Sequence, residues 1–118
     1  MRRMALCAAL GIVGLAGCGI RGTWKVDAVR PEAARAQFPI EELTLRGDGT
    51  AHVRYWVGER LAEADGKYEQ HGGELVLDTV ALKGPLRADT LLSDMDLYLR
   101  LTYSVRDEVI EVNLRRVR

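Results

Sequence analysis

The sequence predicts an all-β domain: an antiparallel, up-and-down meander of about eight strands, closed into a barrel or left as a strongly bent sheet, with one short helix near residues 31–38. Three observations carry this prediction. From Gly22 onward apolar and polar residues alternate with period two, the pattern of strands that bury one face. Pairs such as Gly58-Glu59, Asp65-Gly66 and Gly72-Gly73 interrupt the alternation every few residues, as short hairpin turns do. The chain has 118 residues, 47% of them hydrophobic, which suffices for one small core and not for two.

The elements follow in order. Trp24, Val26 and Ala28 alternate with Lys25 and Asp27, so residues 23–29 read as the first strand. Pro31 opens an alanine-rich helical segment at a position where a first-turn proline is tolerated, Glu32 sits early in it, and Pro39 closes it. Leu43 and Leu45 share a face over 41–46. Gly47-Asp48-Gly49 then turns into 50–57, where Val53, Tyr55 and Val57 share a face. A weaker strand over 60–64 ends at the Asp65-Gly66 turn, followed by 67–71 with Tyr68 inward, and Gly72-Gly73 leads into 74–82 with Leu75 and Leu77 inward. Lys83-Gly84-Pro85 breaks the pattern, and residues 86–93 fit neither period cleanly. Leu97, Leu99, Leu101, Tyr103 and Val105 alternate without interruption over 96–106. Asp107-Glu108 turns the chain back into 109–117, with Ile110, Val112 and Leu114 inward. No repeat, low-complexity run or interior linker appears.

The first 17 residues obey different rules. Arg2 and Arg3 form a short positive head, and residues 4–16 are apolar apart from Gly11 and Gly14. That stretch of 13 residues is shorter than the roughly 20 a membrane-spanning helix needs, so it reads as a secretory signal. It ends in Leu15-Ala16-Gly17-Cys18, which resembles the lipobox of bacterial lipoproteins: a branched apolar residue, two small ones and the cysteine. The resemblance implies cleavage after Gly17, a diacylglyceryl group on the Cys18 thiol and a fatty acid such as palmitate on the new amine. Residues 1–17 are then the removed signal peptide, 18–21 the lipid anchor with a short tether, and 22–118 the β domain.

Cysteine arithmetic points the same way. Cys7 falls in the removed segment, so the mature chain holds Cys18 alone and has no internal disulfide, although it is exported to a compartment where disulfides persist. An unmodified Cys18 would be a lone exported thiol. Gly19 in place of aspartate after the lipidated cysteine resembles the sorting rule of enteric bacteria, and implies a place in the cell envelope, on the outer membrane facing the periplasm where the host is Gram-negative. Without the signal the chain keeps 15 of its 17 basic residues and all 17 acidic ones, a net charge of −2. Such a balance excludes a generally basic nucleic-acid surface.

Gly22-Thr23-Trp24 at the head of the first strand, ahead of a helical turn and a meander, resembles the glycine-any-tryptophan signature of the lipocalin superfamily. The Asp48-Gly49-Thr50 turn and the Gly66-Lys67-Tyr68 strand start are similar to small lipocalin-like domains of bacterial lipoproteins. The family implies that Trp24 closes one end of the barrel and that an arginine of the last strand, Arg115 or Arg116, packs across its ring, a sensible cation–π pair. The domain is shorter than a typical lipocalin and lacks the long helix after the barrel, so the resemblance implies little interior room.

The site residues expected from sequence are few. Trp24, Tyr55, Tyr68 and Tyr103 face inward and are candidates for an apolar ligand site, against the alternative that they fill the interior of an eight-strand barrel. Arg21, Arg116 and Arg118 gather at the lipidated end if the last strand lies beside the first, and would face anionic headgroups. His52 alternates with Val53 and faces solvent, and His71 abuts a turn. Neither has a His or Cys at metal-ligand spacing. Ser93 and Ser104 lie in no nucleophile elbow, and the pairs Glu41-Glu42 and Asp94 with Asp96 read as solvated strand ends. The expectation is therefore no catalytic group, no metal and no cofactor. Two functions remain: a binding module for a small apolar or amphipathic molecule, or a filled interaction domain, an accessory subunit or inhibitor, whose outward Trp56 and Tyr98 meet an envelope protein.

Overall fold

A computed structural model describes residues 19–117, and Cys18 and Arg118 lie outside them. Eight antiparallel strands follow one another around a closed barrel: β1 (Gly22–Arg30), β2 (Ile40–Leu45), β3 (Thr50–Val57), β4 (Arg60–His71), β5 (Glu74–Thr79), β6 (Leu86–Ser93), β7 (Tyr98–Val105) and β8 (Glu108–Val117). β8 returns to pair with β1 from Thr23↔Val117 to Arg30↔Glu111, which closes the ring. The first and last described residues thus lie together at one end of the barrel, the floor. The opposite end, the mouth, carries the 3₁₀ helix Glu32–Gln37 and the turns after β3, β5 and β7.

Period-two alternation places the core where the sequence predicts. Trp24, Leu43, Leu45, Val53, Leu75, Leu77, Leu99, Leu101, Ile110, Val112 and Leu114 are all buried inside the ring. A register shift between Val26 and Ala28 puts Val29, not Ala28, into the core at the mouth end of β1. Ala34 and Phe38 of the helical segment are buried beneath it and seal part of the mouth. The helix is held by Arg35, whose guanidinium donates to the carbonyls of Phe38 and Ile40 at 2.6 and 2.9 Å.

Five sequence expectations need correction. Asp65-Gly66 is not a turn: β4 runs unbroken through it, with Ala51↔Gly66 and Thr50↔Lys67 in register. Glycine is needed there for close approach, since a Cβ on Gly66 would sit 2.5 Å from the Asp78 carbonyl oxygen. The ambiguous residues 86–93 form β6, so the count of eight survives by one merger and one addition. β5 stops at Thr79 rather than reaching Leu82, and Val57 at the tip of the β3–β4 hairpin is 57% exposed rather than inward. Finally, residues 19–21 are not a tether. Ile20 is fully buried and the Trp24 indole Nε1 donates to its carbonyl at 2.8 Å, so the fold begins beside Cys18.

Replacing Gly66 with alanine should force β4 away from β5 and cost about 1–3 kcal/mol, a fall in melting temperature of roughly 5–15 °C for a domain this size. Circular dichroism melts check this, and an unchanged midpoint would show that the strands can separate freely.

Candidate functional site

The floor is the most elaborated part of the molecule. Trp24 and Arg116 are direct partners in the β1–β8 ladder and therefore share the inner face. The Arg116 guanidinium carbon lies 4.2 Å from the Trp24 ring centroid. Its nitrogens are engaged by backbone: Nε donates to Asp96 O at 2.8 Å, Nη1 to Arg21 O at 2.7 Å and Nη2 to Gly19 O at 3.1 Å. One side chain thereby ties the entering chain, the β6–β7 turn and the last strand together over the tryptophan. Gly22 makes room for it: its φ is +132°, and a Cβ there would lie 2.5 Å from Arg116 Nη1. The glycine-any-tryptophan pattern therefore has a local physical cause.

Of the two arginines expected to cover Trp24, Arg116 does so. Arg115 has the opposite parity and projects outward, opposite Tyr98 of β7 and Lys25 of β1. Arg21 is exposed at the same floor, against the Gly47 turn. Arg116 shares that end, but its guanidinium is committed to the floor. Arg118 and the lipidation residue Cys18 fall outside the described residues.

The proposed ligand-site residues do not converge. Trp24 and Tyr68 lie toward the floor, and Tyr68 donates its hydroxyl to the Arg46 carbonyl. Tyr55 and Tyr103 belong to the mouth half, Tyr55 half-buried and Tyr103 buried. Burial raises the hydroxyl pKa of both Tyr68 and Tyr103, so they stay neutral. Between these two levels the interior is occupied by leucine, isoleucine and valine from every strand but β4 and β6, whose buried residues are Tyr68 and Ala88. An eight-strand barrel is just wide enough to be filled in this way.

Concavities occur on the outside. One, of about 310 Å³, lies at the floor between the Gly47-Asp48-Gly49 turn and residues Tyr68 to His71. Asp48 there accepts from the Thr50 hydroxyl and amide, and these hydrogen bonds hold its carboxyl below the usual range. The other, of about 380 Å³, lies near the mouth between Arg35, Ala36, Pro39, Gly58 and Trp56. Trp56 is 40% exposed and its indole donates to Glu41 at 3.0 Å. Leu61, its cross-strand partner, is equally exposed. Sequence parity alone put Trp56 outside, but nothing in the sequence placed the helical segment beside it.

A second outer feature is an imidazole between two carboxylates. His52 Nδ1 lies 2.9 Å from Asp65 Oδ1 and its Nε2 lies 2.7 Å from Glu63 Oε1, which leaves neither ring nitrogen free for a metal or a substrate proton. Hydrogen bonds to Asp65 and then Glu63 raise the His52 pKa, and the His52 contact lowers that of Asp65. Taking Asp65-Gly66 as a turn, and not as part of β4, hid this pairing.

Among the described residues no helix is long and apolar enough to cross a membrane, and no group of three His, Cys, Asp or Glu is arranged to hold a metal ion. No protein-family model matches the chain, and no curated protein matches it.

Two outcomes are expected. Arg116→Ala uncovers Trp24 and leaves three floor carbonyls without their donor, which should lower stability by about 1–3 kcal/mol and red-shift the tryptophan emission. Arg115→Ala should do neither, and equal effects of the two would refute the assignment. The raised His52 pKa stabilises the fold fully below the unfolded-state value of 6.5, and this is lost as pH rises through the higher folded-state value. Urea midpoints should therefore fall between pH 6 and pH 8 less steeply in His52→Gln than in the parent chain. An identical slope would assign the pH dependence elsewhere.

Proposed function

We propose that this chain is a lipoprotein of the bacterial cell envelope, anchored through acylated Cys18, and that its lipocalin-like barrel is a solid, non-enzymatic module acting through its outer surface. In this role it is an accessory subunit or inhibitor that contacts another envelope protein. The observation that carries the reading is the filled interior: Tyr68 and Tyr103 are only 5% and 9% exposed, and the Tyr68 hydroxyl is already used by the Arg46 carbonyl. A barrel packed in this way leaves its outside for recognition. The exposed Trp56–Leu61 pair beside the 380 Å³ concavity supplies an apolar and aromatic contact of the kind enriched in protein interfaces. The anchor rests on Leu15-Ala16-Gly17-Cys18, and Gly19 supports outer-membrane sorting where the host has that membrane.

A second reading, in which the mouth takes a small apolar or amphipathic molecule, is favoured by a different observation. Tyr55, Ala64, Ala81, Leu82, Leu86 and Val105 are half-buried apolar residues packed against the core, and most of them lie toward the mouth. A ligand would rest on them instead of entering the barrel.

Cys18→Ser should move the protein from the membrane to the soluble fraction, and retention of the variant would sink the anchoring. In the anchored protein a photo-crosslinker at Trp56 should yield one dominant protein adduct in intact envelopes, while the same group at Thr102 should not. Solvent extraction of the purified protein followed by mass spectrometry separates the readings: a stoichiometric small molecule with no Trp56 adduct would replace the first reading by the second.

A further inference from the structure

At the mouth, β4 extends beyond the end of its neighbour β5. The two-residue turns flanking β4 decide which of its backbone groups face which neighbour. In such hairpins the pair that closes the turn is hydrogen-bonded, and bonded pairs alternate along the ladder. Val57↔Arg60 closes Gly58-Glu59, and His71↔Glu74 closes Gly72-Gly73. Even-numbered residues of β4 therefore bond to β3, and odd-numbered ones point toward β5. The Tyr68 amide, on the β3 side, donates to Gly49 O at 2.9 Å in agreement with this parity.

β5, however, ends at Thr79 opposite Gly66. Beyond it the N–H and C=O groups of Leu61, Glu63 and Asp65 have no strand beside them. Among the described residues no backbone hydrogen bond joins them to the loop 80–85, where the Leu82 amide turns back to Thr79 O at 3.0 Å. The mouth end of β4 therefore presents an edge that no strand of the barrel pairs, beyond the register that ends at Gly66↔Thr79.

This edge has a chemistry. On the outer row, Glu63 and Asp65 carry carboxylates whose side chains are 63% and 79% exposed. On the inner row, Ala62 and Ala64 are small and half-buried. Charged side chains on an open edge discourage pairing with a like-charged strand while admitting one of opposite charge. An arriving strand would set alternate side chains opposite these two rows.

Resting on the reading of the domain as an envelope interaction module, we infer that the open edge of β4 at Leu61, Glu63 and Asp65 receives an extended segment of a partner protein as an added strand. The segment carries apolar side chains toward Ala62 and Ala64, and lysine or arginine opposite Glu63 and Asp65. Backbone hydrogen bonds supply the register, and the two rows supply the choice of partner.

Residues 19–118 suffice for the test, because the core cluster runs from Ile20 to Leu114 within them. The probe is the capped peptide Val-Lys-Val-Lys-Val-Lys-Val, followed by nuclear magnetic resonance. Saturating peptide should slow amide exchange of Leu61, Glu63 and Asp65 by about tenfold or more, while Arg60, Ala62 and Ala64, already bonded to β3, change little. The peptide with glutamate in place of lysine should bind about tenfold more weakly or not at all. Glu63→Pro removes an edge donor and leaves the backbone hydrogen bonds between β3 and β4 in place, giving up only the Glu63 side-chain contact with His52, so it should abolish binding in a folded barrel. Glu63→Gln keeps the donor and should weaken binding only in part. The inference is overturned by an absence of binding at millimolar peptide, by protection that maps elsewhere, or by full binding to the proline variant. The Trp56 cross-link is read independently, so a partner captured there with no peptide at the edge would retain the interaction module and discard the strand addition.

Discussion

The clasp of Arg116 over Trp24 is the contact on which the rest of the molecule depends. Most of the barrel is held by hairpins between neighbours in sequence, each formed across a short turn. The β1–β8 seam is different, because it joins the two ends of the chain and orders a loop of about ninety residues. Without it the meander would be a bent sheet with two open edges and its apolar face half in water. Arg116 fastens this seam at its end, using the ring face for the charge and three backbone carbonyls for the donors. The same atoms explain why Gly22 has no side chain and why Ile20 is drawn into the core.

A closed and fastened ring has a functional corollary. The interior of an eight-strand barrel can hold either its own side chains or a slender ligand, and leucines, isoleucines and valines occupy it here. Specificity is then left to the rim and the outer faces, where strands of unequal length and loops of unequal size break the symmetry of the ring. Such breaks concentrate at the mouth: the 3₁₀ helix beside Trp56 on one side and the early end of β5 on another. The floor, by contrast, is assembled from interactions that brace one another.

Much of this was legible in the sequence because period-two alternation reports directly on which side chains face inward. Trp24, Leu43, Val53, Leu99 and Ile110 needed nothing more. The failures have a common origin in residues whose role depends on a neighbour distant in sequence. Gly66 reads as a turn beside Asp65, yet its missing side chain serves the Asp78 carbonyl across the ladder. Arg115 and Arg116 are indistinguishable until the register with β1 fixes their parity. His52 looks like an isolated solvent-facing imidazole, and only the unbroken run of β4 brings Glu63 and Asp65 to it. The tyrosines share an inward parity but occupy different heights along the barrel axis, a coordinate that alternation does not encode.

Ile20 has one more consequence. Its burial, with its carbonyl held by the Trp24 indole, means that Gly19 alone separates the folded body from Cys18. A chain attached to a membrane at that cysteine has no slack. The barrel would stand on the bilayer like a short post, with a footing that resists swivelling. Its longest dimension of 43 Å would set how far the mouth can be raised above the surface. Under the proposed anchoring at Cys18, force on the lipid would pass through one residue into the seam that closes the ring.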